Sequence, residues 1–222
     1  MSQNVSSAVM QQRREGKDSL DDFPTPPWAT RALMERLKLM ADFGLEESTC
    51  REPAANRGHM SRPLSEYFGG VFASDVHDYG AGIEVRDYLF GPAREISPTH
   101  WTITNPPFRL AEQFIDRALE LSRVGVAMIV RTAFLEGIAR HERLFSKRPP
   151  SYVMQFCERV VMHRGRLAPE GASATAYCWL VWIQGGCQRG TEFEWIPRCR
   201  KELERPGDYP LERQAIAGGG LI

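Results

Sequence analysis

The sequence predicts an α/β fold in which a mostly parallel sheet is flanked by helices. Predicted strands alternate with helical segments along most of the chain, a pattern typical of parallel sheets covered on both faces. Residues 124–130 form a continuous apolar run with the length of a buried central strand. Residues 175–183 are rich in β-branched and aromatic side chains and give the strongest strand signal in the chain.

Composition narrows the class of protein. A chain of 222 residues with 42% hydrophobic and 25% charged residues is typical of one soluble globular domain. The formal net charge is zero, so any attraction to nucleic acid must come from a local basic surface. Five cysteines at no metal-ligand spacing predict reduced thiols in a cytoplasmic protein. No apolar run of roughly 18 residues is present, so we expect no membrane span.

The individual elements follow from local patterns. Prolines before Trp28 and apolar residues at helical spacing after it predict a helix from residue 27 or 28 to about 40. Further helices are expected over 59–67 and 110–121, the second because its apolar residues recur on one face. Strands are expected at 48–52, 71–74, 83–85, 101–104, 124–130, 152–156 and 175–183. The first of these strands is unusually polar for the centre of a parallel sheet.

The most distinctive stretch is Thr104-Asn105-Pro106-Pro107-Phe108, which follows the strand at 101–104. Its two prolines fix two φ angles, so Asn105 lies at a rigid exit from the strand. The Asn105 amide oxygen and the Pro106 carbonyl are two acceptors beside the flat ring of Phe108. Such a set suits a planar substrate with an exocyclic amino group, such as adenine. Taken alone, the pentapeptide is equally consistent with an ordinary turn.

Its context favours the functional interpretation, because similar signals follow several predicted strands. The segments are residues 52–58, Asp75, Asp87 and residues 105–108. In parallel sheets, ligands bind beyond the carboxyl ends of the strands, where the strand order switches. We therefore expect these segments to meet in one site.

Together the segments resemble class I S-adenosylmethionine-dependent methyltransferases, specifically the N6-adenine type, over residues 23–183. Asn105-Pro106-Pro107-Phe108 is similar to the family's catalytic Asn/Asp-Pro-Pro-Tyr/Phe motif. Residues 52–58 resemble its cofactor loop, with Asn56 in place of the usual glycine. Asn tolerates a left-handed backbone better than other non-glycine residues, so the loop can keep its shape. The resemblance implies a Rossmann-like fold with a mostly parallel seven-stranded sheet, and S-adenosyl-L-methionine as the cofactor.

The resemblance also implies roles for individual residues. Asp75 corresponds to the acidic residue that holds the ribose hydroxyls, although a turn or helix-cap role would explain it as well. Residues 87–88 correspond to the pair that meets the cofactor's adenine, and residues 23–26 to the segment covering its methionine moiety. The implied cofactor-binding residues are Phe23, Thr25, Pro26, Glu52, Pro53, Ala54, Asn56, Gly58, Asp75, Asp87 and Tyr88. The implied catalytic residues are Asn105, Pro106, Pro107 and Phe108, and no metal is expected.

The implied reaction is methyl transfer to N6 of a flipped adenine in DNA, with low or short sequence specificity. The layout is most similar to small phage- or prophage-encoded enzymes, which implies the cytoplasm of a bacterium or phage-infected cell. We expect one catalytic domain over 21–200 between a flexible arm over 1–20 and a flexible tail over 201–222. We expect no separate target-recognition domain, and a monomer or weak dimer.

Residues 131–166 are the best candidate for a nucleic-acid surface. They hold eight basic and three acidic side chains, a net charge of +5. Charge runs are usually only solvated surface, but a catalytic site for nucleic acid favours phosphate contact here. The candidate residues are Arg131, Arg140, Arg143, Lys147, Arg148, Arg164 and Arg166.

Three alternatives stay open. An RNA N6-adenine methyltransferase would carry the same catalytic motif. A protein glutamine N5-methyltransferase resembles this chain at Asn-Pro-Pro, but usually carries an additional N-terminal helical domain. An inactive nucleic-acid-binding module is suggested by Asn56 and by the polar strand at 48–52.

Overall fold

The computed structural model describes residues 21–41, 43–171, 173–185 and 190–209. The expected arm and residues 210–222 of the expected tail lie outside this range. The strands are β1 Thr49–Glu52, β2 Gly70–Asp75, β3 Glu84–Val85, β4 Thr99–Thr104, β5 Ser122–Arg131, β6 Tyr152–Phe156, β7 Tyr177–Ile183 and β8 Glu192–Ile196. The α-helices are α1 Pro27–Met40, α2 Ser61–Leu64, α3 Ala111–Leu121, α4 Ile138–Arg140 and α5 Arg200–Leu203. Among these residues, no helix has the length and apolar content that crossing a membrane requires.

The strands form one sheet in the order β3-β2-β1-β4-β5-β7-β6-β8. Only β7 runs antiparallel to its neighbours β5 and β6, and every other described pair is parallel. The strand order reverses direction between β1 and β4, so the carboxyl ends of these two strands flank the switch point. The predicted α/β fold is confirmed, but the sheet has eight strands and not seven, because β8 adds to the free edge of β6.

Two hydrophobic clusters cover the two faces of the sheet. One contains α1 and α2 residues packed against β1 and β4, with Trp28, Leu33 and Trp101 fully buried. The other contains Phe114 and Ile115 of α3 packed against β5 and β7. Burial on both faces is why β5 and β7 read as continuous apolar runs.

The polar strand β1 is accommodated because its side chains find partners. The Thr49 backbone N–H donates to His100 Nδ1 at 2.9 Å, and Arg51 donates to the Ser97 carbonyl at 3.1 Å. The Arg51 guanidinium also lies over the Phe72 ring, 5.8 Å from its centre. These contacts pair most of the strand's polar groups, although the Arg51 Nε atom is buried without a hydrogen-bond partner among the described residues.

Two expected segments differ from prediction. The helix expected over 59–67 is a regular α-helix only at α2, because Pro63 has no backbone N–H to donate, and turns flank it on both sides. Residues 201–209, at the start of the expected tail, are tied to α1. Asp208 bonds the buried Arg31 at 2.7 Å, and Arg31 also bonds Glu66 at 2.8 Å.

Candidate active site

A cavity of about 210 Å³ opens at the switch point, beyond the carboxyl ends of β1, β2 and β4. Its walls combine carboxylates with aromatic and aliphatic side chains. The lining residues are Asp21, Phe23, Pro24, Thr25, Glu52, Pro53, Ala54, Ala55, Asn56, His59, Met60, Asp75, Val76, Tyr79, Asp87, Tyr88, Leu89, Asn105, Pro107, Leu110 and Phe114. Segments separated by up to about ninety positions in the sequence thus meet in one place, as we expected from their positions after the strands.

Most of the predicted cofactor residues line this cavity. The exceptions are Pro26, which is buried behind it, and Gly58, whose φ angle of 79° turns the chain into α2. Of the predicted catalytic residues, Asn105 and Pro107 line the cavity and Pro106 and Phe108 do not. Sequence reasoning missed Asp21, His59, Tyr79 and Phe114, because they belong to a loop, a turn and a helix face and to no motif.

The loop after β1 is held to the end of β2 by Asp75. One Asp75 carboxylate oxygen accepts the Asn56 N–H at 2.8 Å, and the other accepts the His77 N–H at 3.0 Å. Asn56 has a φ angle of 52°, which is the left-handed conformation expected from the sequence. Its side-chain amide donates to Asp22 at 2.7 Å, and Asp22 also pairs with Arg57 at 3.1 Å. Asp75 therefore has the turn role and also lines the cavity.

The Asn105 side chain is held in one orientation by the segment before α1. Its amide nitrogen donates to the Phe23 carbonyl at 2.9 Å, and a carbonyl can only accept. The amide oxygen must therefore face the other way. It is buried and has no hydrogen-bond partner among the described residues. Such an orphaned acceptor at a cavity wall costs free energy that a ligand donor would recover.

Three further lining side chains share this feature. Thr25 Oγ1, His59 Nδ1 and the Tyr88 hydroxyl are buried and have no hydrogen-bond partner in the described part of the chain. Burial, together with the charges of Arg62 and Arg57, lowers the pKa of His59 to about 4. His59 is therefore neutral at physiological pH. Several residues that line the cavity thus carry buried polar atoms without a partner among the described residues.

Glu52, at the end of β1, is almost fully buried. Burial raises the pKa of Glu52 to about 8, a hydrogen bond from the Ser61 hydroxyl opposes the rise, and the charge of Asp75 adds to it. The Glu52 carboxyl is consequently protonated at neutral pH. A cation bound beside it would lower this pKa again.

Phe108 is enclosed by other side chains. Its ring centre lies 5.4 Å from that of Phe23, and the Arg131 guanidinium carbon lies 3.7 Å from the Phe108 centre. Arg131 therefore covers one face of the ring as a cation–π partner. Asp21 accepts the Phe108 N–H at 2.8 Å, which fixes the start of the turn after the two prolines. A base that stacks on Phe108 has to use the remaining face or displace Arg131.

The predicted phosphate-contacting residues divide into two groups. Arg140 and Arg143 both pair with Glu112 at 3.2 Å, and Arg148 pairs with Asp116. These three arginines are thus neutralised by the acidic side chains of α3. Arg164 and Arg166 are exposed on the loop between β6 and β7 and Lys147 is exposed after α4, with no ion pair among the described residues.

No family model matches the chain, and no curated protein matches it in sequence. Solved structures do match its fold. A proposed class I S-adenosylmethionine-dependent methyltransferase from Listeria monocytogenes superposes with a TM-score of 0.58 and 11% identity, over 77% of this chain and 65% of that chain. A modification subunit of a proposed type I restriction enzyme from Vibrio vulnificus superposes with a TM-score of 0.54 and 15% identity, over 92% of this chain and 53% of that chain. A proposed RNA methyltransferase from Pyrococcus horikoshii superposes with a TM-score of 0.51 and 17% identity, over 82% of this chain and 97% of that chain.

The fold is therefore the Rossmann-like fold of the class I methyltransferases, as the sequence predicted. The chain spans less than two thirds of the length of the Listeria and Vibrio proteins. At these identities the likeness defines the fold, and the chemistry has to be argued from the site.

Proposed function

We propose that this protein transfers a methyl group from S-adenosyl-L-methionine to the N6 atom of an adenine in DNA, with the target base rotated out of the helix. The observation that carries the proposal is the buried, unpartnered amide oxygen of Asn105. An exocyclic amino group is a donor of the kind that this acceptor lacks. Adenine supplies such a group on a flat ring.

The described residues fit the proposed cofactor. Carboxylates end β1 and β2, namely Glu52 and Asp75, where they suit the ammonium group and the ribose hydroxyls of S-adenosylmethionine. Tyr88 and Phe114 pack at 5.2 Å and offer an apolar wall for its adenine. When bound, the cofactor supplies an activated methyl group on a sulfonium centre.

Asn105 would act on the substrate's amino nitrogen. The lone pair of that nitrogen is delocalised into the adenine ring, so the amino group is a poor nucleophile. A hydrogen bond from the amino group to the Asn105 oxygen favours the tetrahedral nitrogen whose lone pair is available. The oxygen is fixed before the substrate arrives, because Phe23 holds the amide nitrogen. Positioning of this kind supplies much of the rate in group transfer.

The Pro106 carbonyl and the Phe108 ring complete the proposed base pocket. Pro106 is buried and does not line the cavity, so its carbonyl would join only as the base enters beside Pro107. Phe108 would stack on the base once Arg131 leaves its face or on the face that Arg131 does not cover. Arg131 would then be free to pair with a phosphate.

Labelled S-adenosylmethionine, incubated with the full chain and separate DNA, RNA and protein substrates, tests the proposal. Digestion and nucleoside analysis should place the label in N6-methyladenine from DNA. Label in N6-methyladenosine from RNA would favour the RNA enzyme instead, and label in protein glutamine would favour the glutamine enzyme. Cofactor binding by calorimetry without transfer to any substrate would favour the inactive binding module.

The variant Asn105→Ala sharpens the test, because it removes only the amide. We expect the single-turnover rate to fall roughly 100- to 1000-fold, by analogy with loss of one fixed hydrogen-bonding group elsewhere. Cofactor affinity should stay within about twofold in the same calorimetric measurement. Asn105→Asp keeps an acceptor but sets an oxygen against the Phe23 carbonyl, so we expect an intermediate rate. Wild-type turnover in Asn105→Ala would contradict the assignment.

A further inference from the structure

A second groove of about 450 Å³ lies beside the proposed cofactor cavity and shares two of its lining residues. The loop after β1 and the start of α2 form one side, and the loop between β6 and β7 forms the other. The lining residues are Arg57, His59, Arg62, Tyr79, Gly80, Ala81, Gly165, Arg166, Leu167 and Gly207. His59 and Tyr79 line both the groove and the cavity.

The charged groups lining this groove are all positive. Arg57 pairs with Asp22 at 3.1 Å and stacks on the Tyr79 ring at 4.7 Å, so its position is fixed. Arg62 donates only to the Arg57 carbonyl, at 3.3 Å. Neither Arg62 nor Arg166 has a carboxylate partner in the described part of the chain. The acids near the groove are occupied: Asp22 binds Arg57 and Asn56, Asp75 binds two backbone N–H groups, and Asp208 pairs with Arg31.

The two sides of the groove are joined by the chain itself. The Gly165 N–H donates to the Asp22 carbonyl at 2.8 Å, and the Asp22 carboxylate accepts from Asn56 and Arg57. Asp22 therefore links the loop that carries Arg166 to the loop that carries Arg57. By contrast, the arginines on the other flank of the site are neutralised by Glu112 and Asp116. Arg62 and Arg166 therefore line this groove with positive charge that no described carboxylate neutralises.

We propose that this groove binds the phosphodiester backbone of the nucleic-acid strand next to the methylated base, an inference that rests on the proposed function. Arginine guanidinium groups match phosphate oxygens in shape and charge, and they stay protonated at every physiological pH. Arg57 covers one face of the Tyr79 ring, and an unpaired base would stack on the other face. The shared walls at His59 and Tyr79 make the strand's path continuous with the cavity that holds Asn105.

Anisotropy titrations of a fluorescein-labelled single- or double-stranded DNA oligonucleotide, at several salt concentrations, test the groove. The groove variant carries Arg62→Ala and Arg166→Ala together in the whole 222-residue chain. The control variant carries Arg143→Ala and Arg148→Ala together. We expect the groove variant to bind more weakly, with a salt slope lower by about 0.7–0.9 for each arginine removed. The control should keep the wild-type slope, because its arginines are already paired.

Several results would overturn the proposal. They are absence of oligonucleotide binding by the wild-type chain, an unchanged slope in the groove variant, and loss of the slope in the control. Equal competition by poly-glutamate would show a general anion site and no preference for phosphodiesters. Cofactor binding and methyl transfer are measured separately on the same variants. Binding that depends on the groove, without methyl transfer, would reject the proposed function and support the groove as a phosphodiester site. Methyl transfer with DNA binding that does not depend on the groove would support the proposed function and reject the groove.

Discussion

Asn56 and Asp75 show how two side chains together set the shape of the cofactor loop. Asn56 is the only described non-glycine residue with a positive φ angle, and its backbone N–H donates to Asp75. A left-handed non-glycine residue is held in place only when its surroundings compensate for the strain. Here the compensation comes from Asp75 on the backbone and from Asp22 on the side chain. The replacement of the usual glycine is thus consistent with a well-formed loop.

The variant Asp75→Asn tests this double role. An amide nitrogen would face a backbone N–H, and the negative charge proposed to hold the ribose hydroxyls would be gone. We expect S-adenosylmethionine to bind about tenfold more weakly or worse in calorimetry, with a modest fall in the melting temperature of the cofactor-free protein.

The matched control is Asp78→Asn. Asp78 is exposed, does not line the cavity, and accepts the Gly80 N–H at 2.7 Å in the same kind of turn contact. It should leave cofactor affinity unchanged. An Asp75→Asn protein that bound the cofactor like the wild type would mean that the carboxylate serves only the turn.

At the scale of the elements, Gly125 of β5 pairs with Trp101 of β4, and the Trp101 ring fills the space beside the glycine. A Cβ atom on Gly125 would lie 2.3 Å from a ring carbon of Trp101, which is fully buried and cannot turn away. We expect Gly125→Ala to lower the free energy of unfolding by about 1–3 kcal/mol in urea titrations.

The control for this variant is Gly70→Ala at the start of β2. Its Cβ would meet the Thr49 side chain at 3.6 Å, an ordinary contact, so the free energy of unfolding should change little. Equal stability of the two variants would show that the Trp101 ring can rearrange within the core.

The elements that were predictable from the sequence are those whose local pattern and tertiary environment agree. The strands at β5 and β7 and the helix α3 have apolar patterns that match their burial, so periodicity finds them. The strand β8 was missed although Glu192 and Glu194 alternate with aromatic residues as in a strand, and Phe193 and Trp195 are exposed at this edge of the sheet. There, pairing with β6 decides the conformation and burial contributes little.

The difference between local pattern and tertiary packing also explains which features of the site were predictable. Motif residues such as Asn105 and Asp75 follow strands and could be placed from the sequence alone. The ion pairs that neutralise Arg140, Arg143 and Arg148 depend on how α3 packs beside them, which no spacing in the sequence reveals. Likewise, the contact of Arg131 with Phe108 joins residues far apart in the chain.

At the scale of the whole molecule, the buried Glu52 links folding to function. Burial, opposed by Ser61 and reinforced by Asp75, raises the pKa of Glu52 from 4.5 to about 8. Between these two values the carboxyl is protonated in the folded state and ionised in the unfolded state. The unfolded state then binds fewer protons, so the contribution of Glu52 to stability falls as pH rises through this window. A group that we propose to hold the cofactor's ammonium thereby weakens the cofactor-free fold at neutral pH.

Replacing Glu52 with glutamine should therefore stabilise the cofactor-free protein in a pH-dependent way. The free energy of unfolding of Glu52→Gln, minus that of the wild type, should be small near pH 4.5. It should grow in favour of the variant and level off above pH 8, at a value on the order of a few kcal/mol. Urea titrations across this range measure the difference, and the exposed Glu47→Gln should give a flat difference as the control. Because glutamine cannot become anionic, added S-adenosylmethionine should raise the melting temperature of Glu52→Gln less than that of the wild type. A pH-independent difference for Glu52→Gln would mean that the Glu52 carboxyl ionises normally in the folded protein.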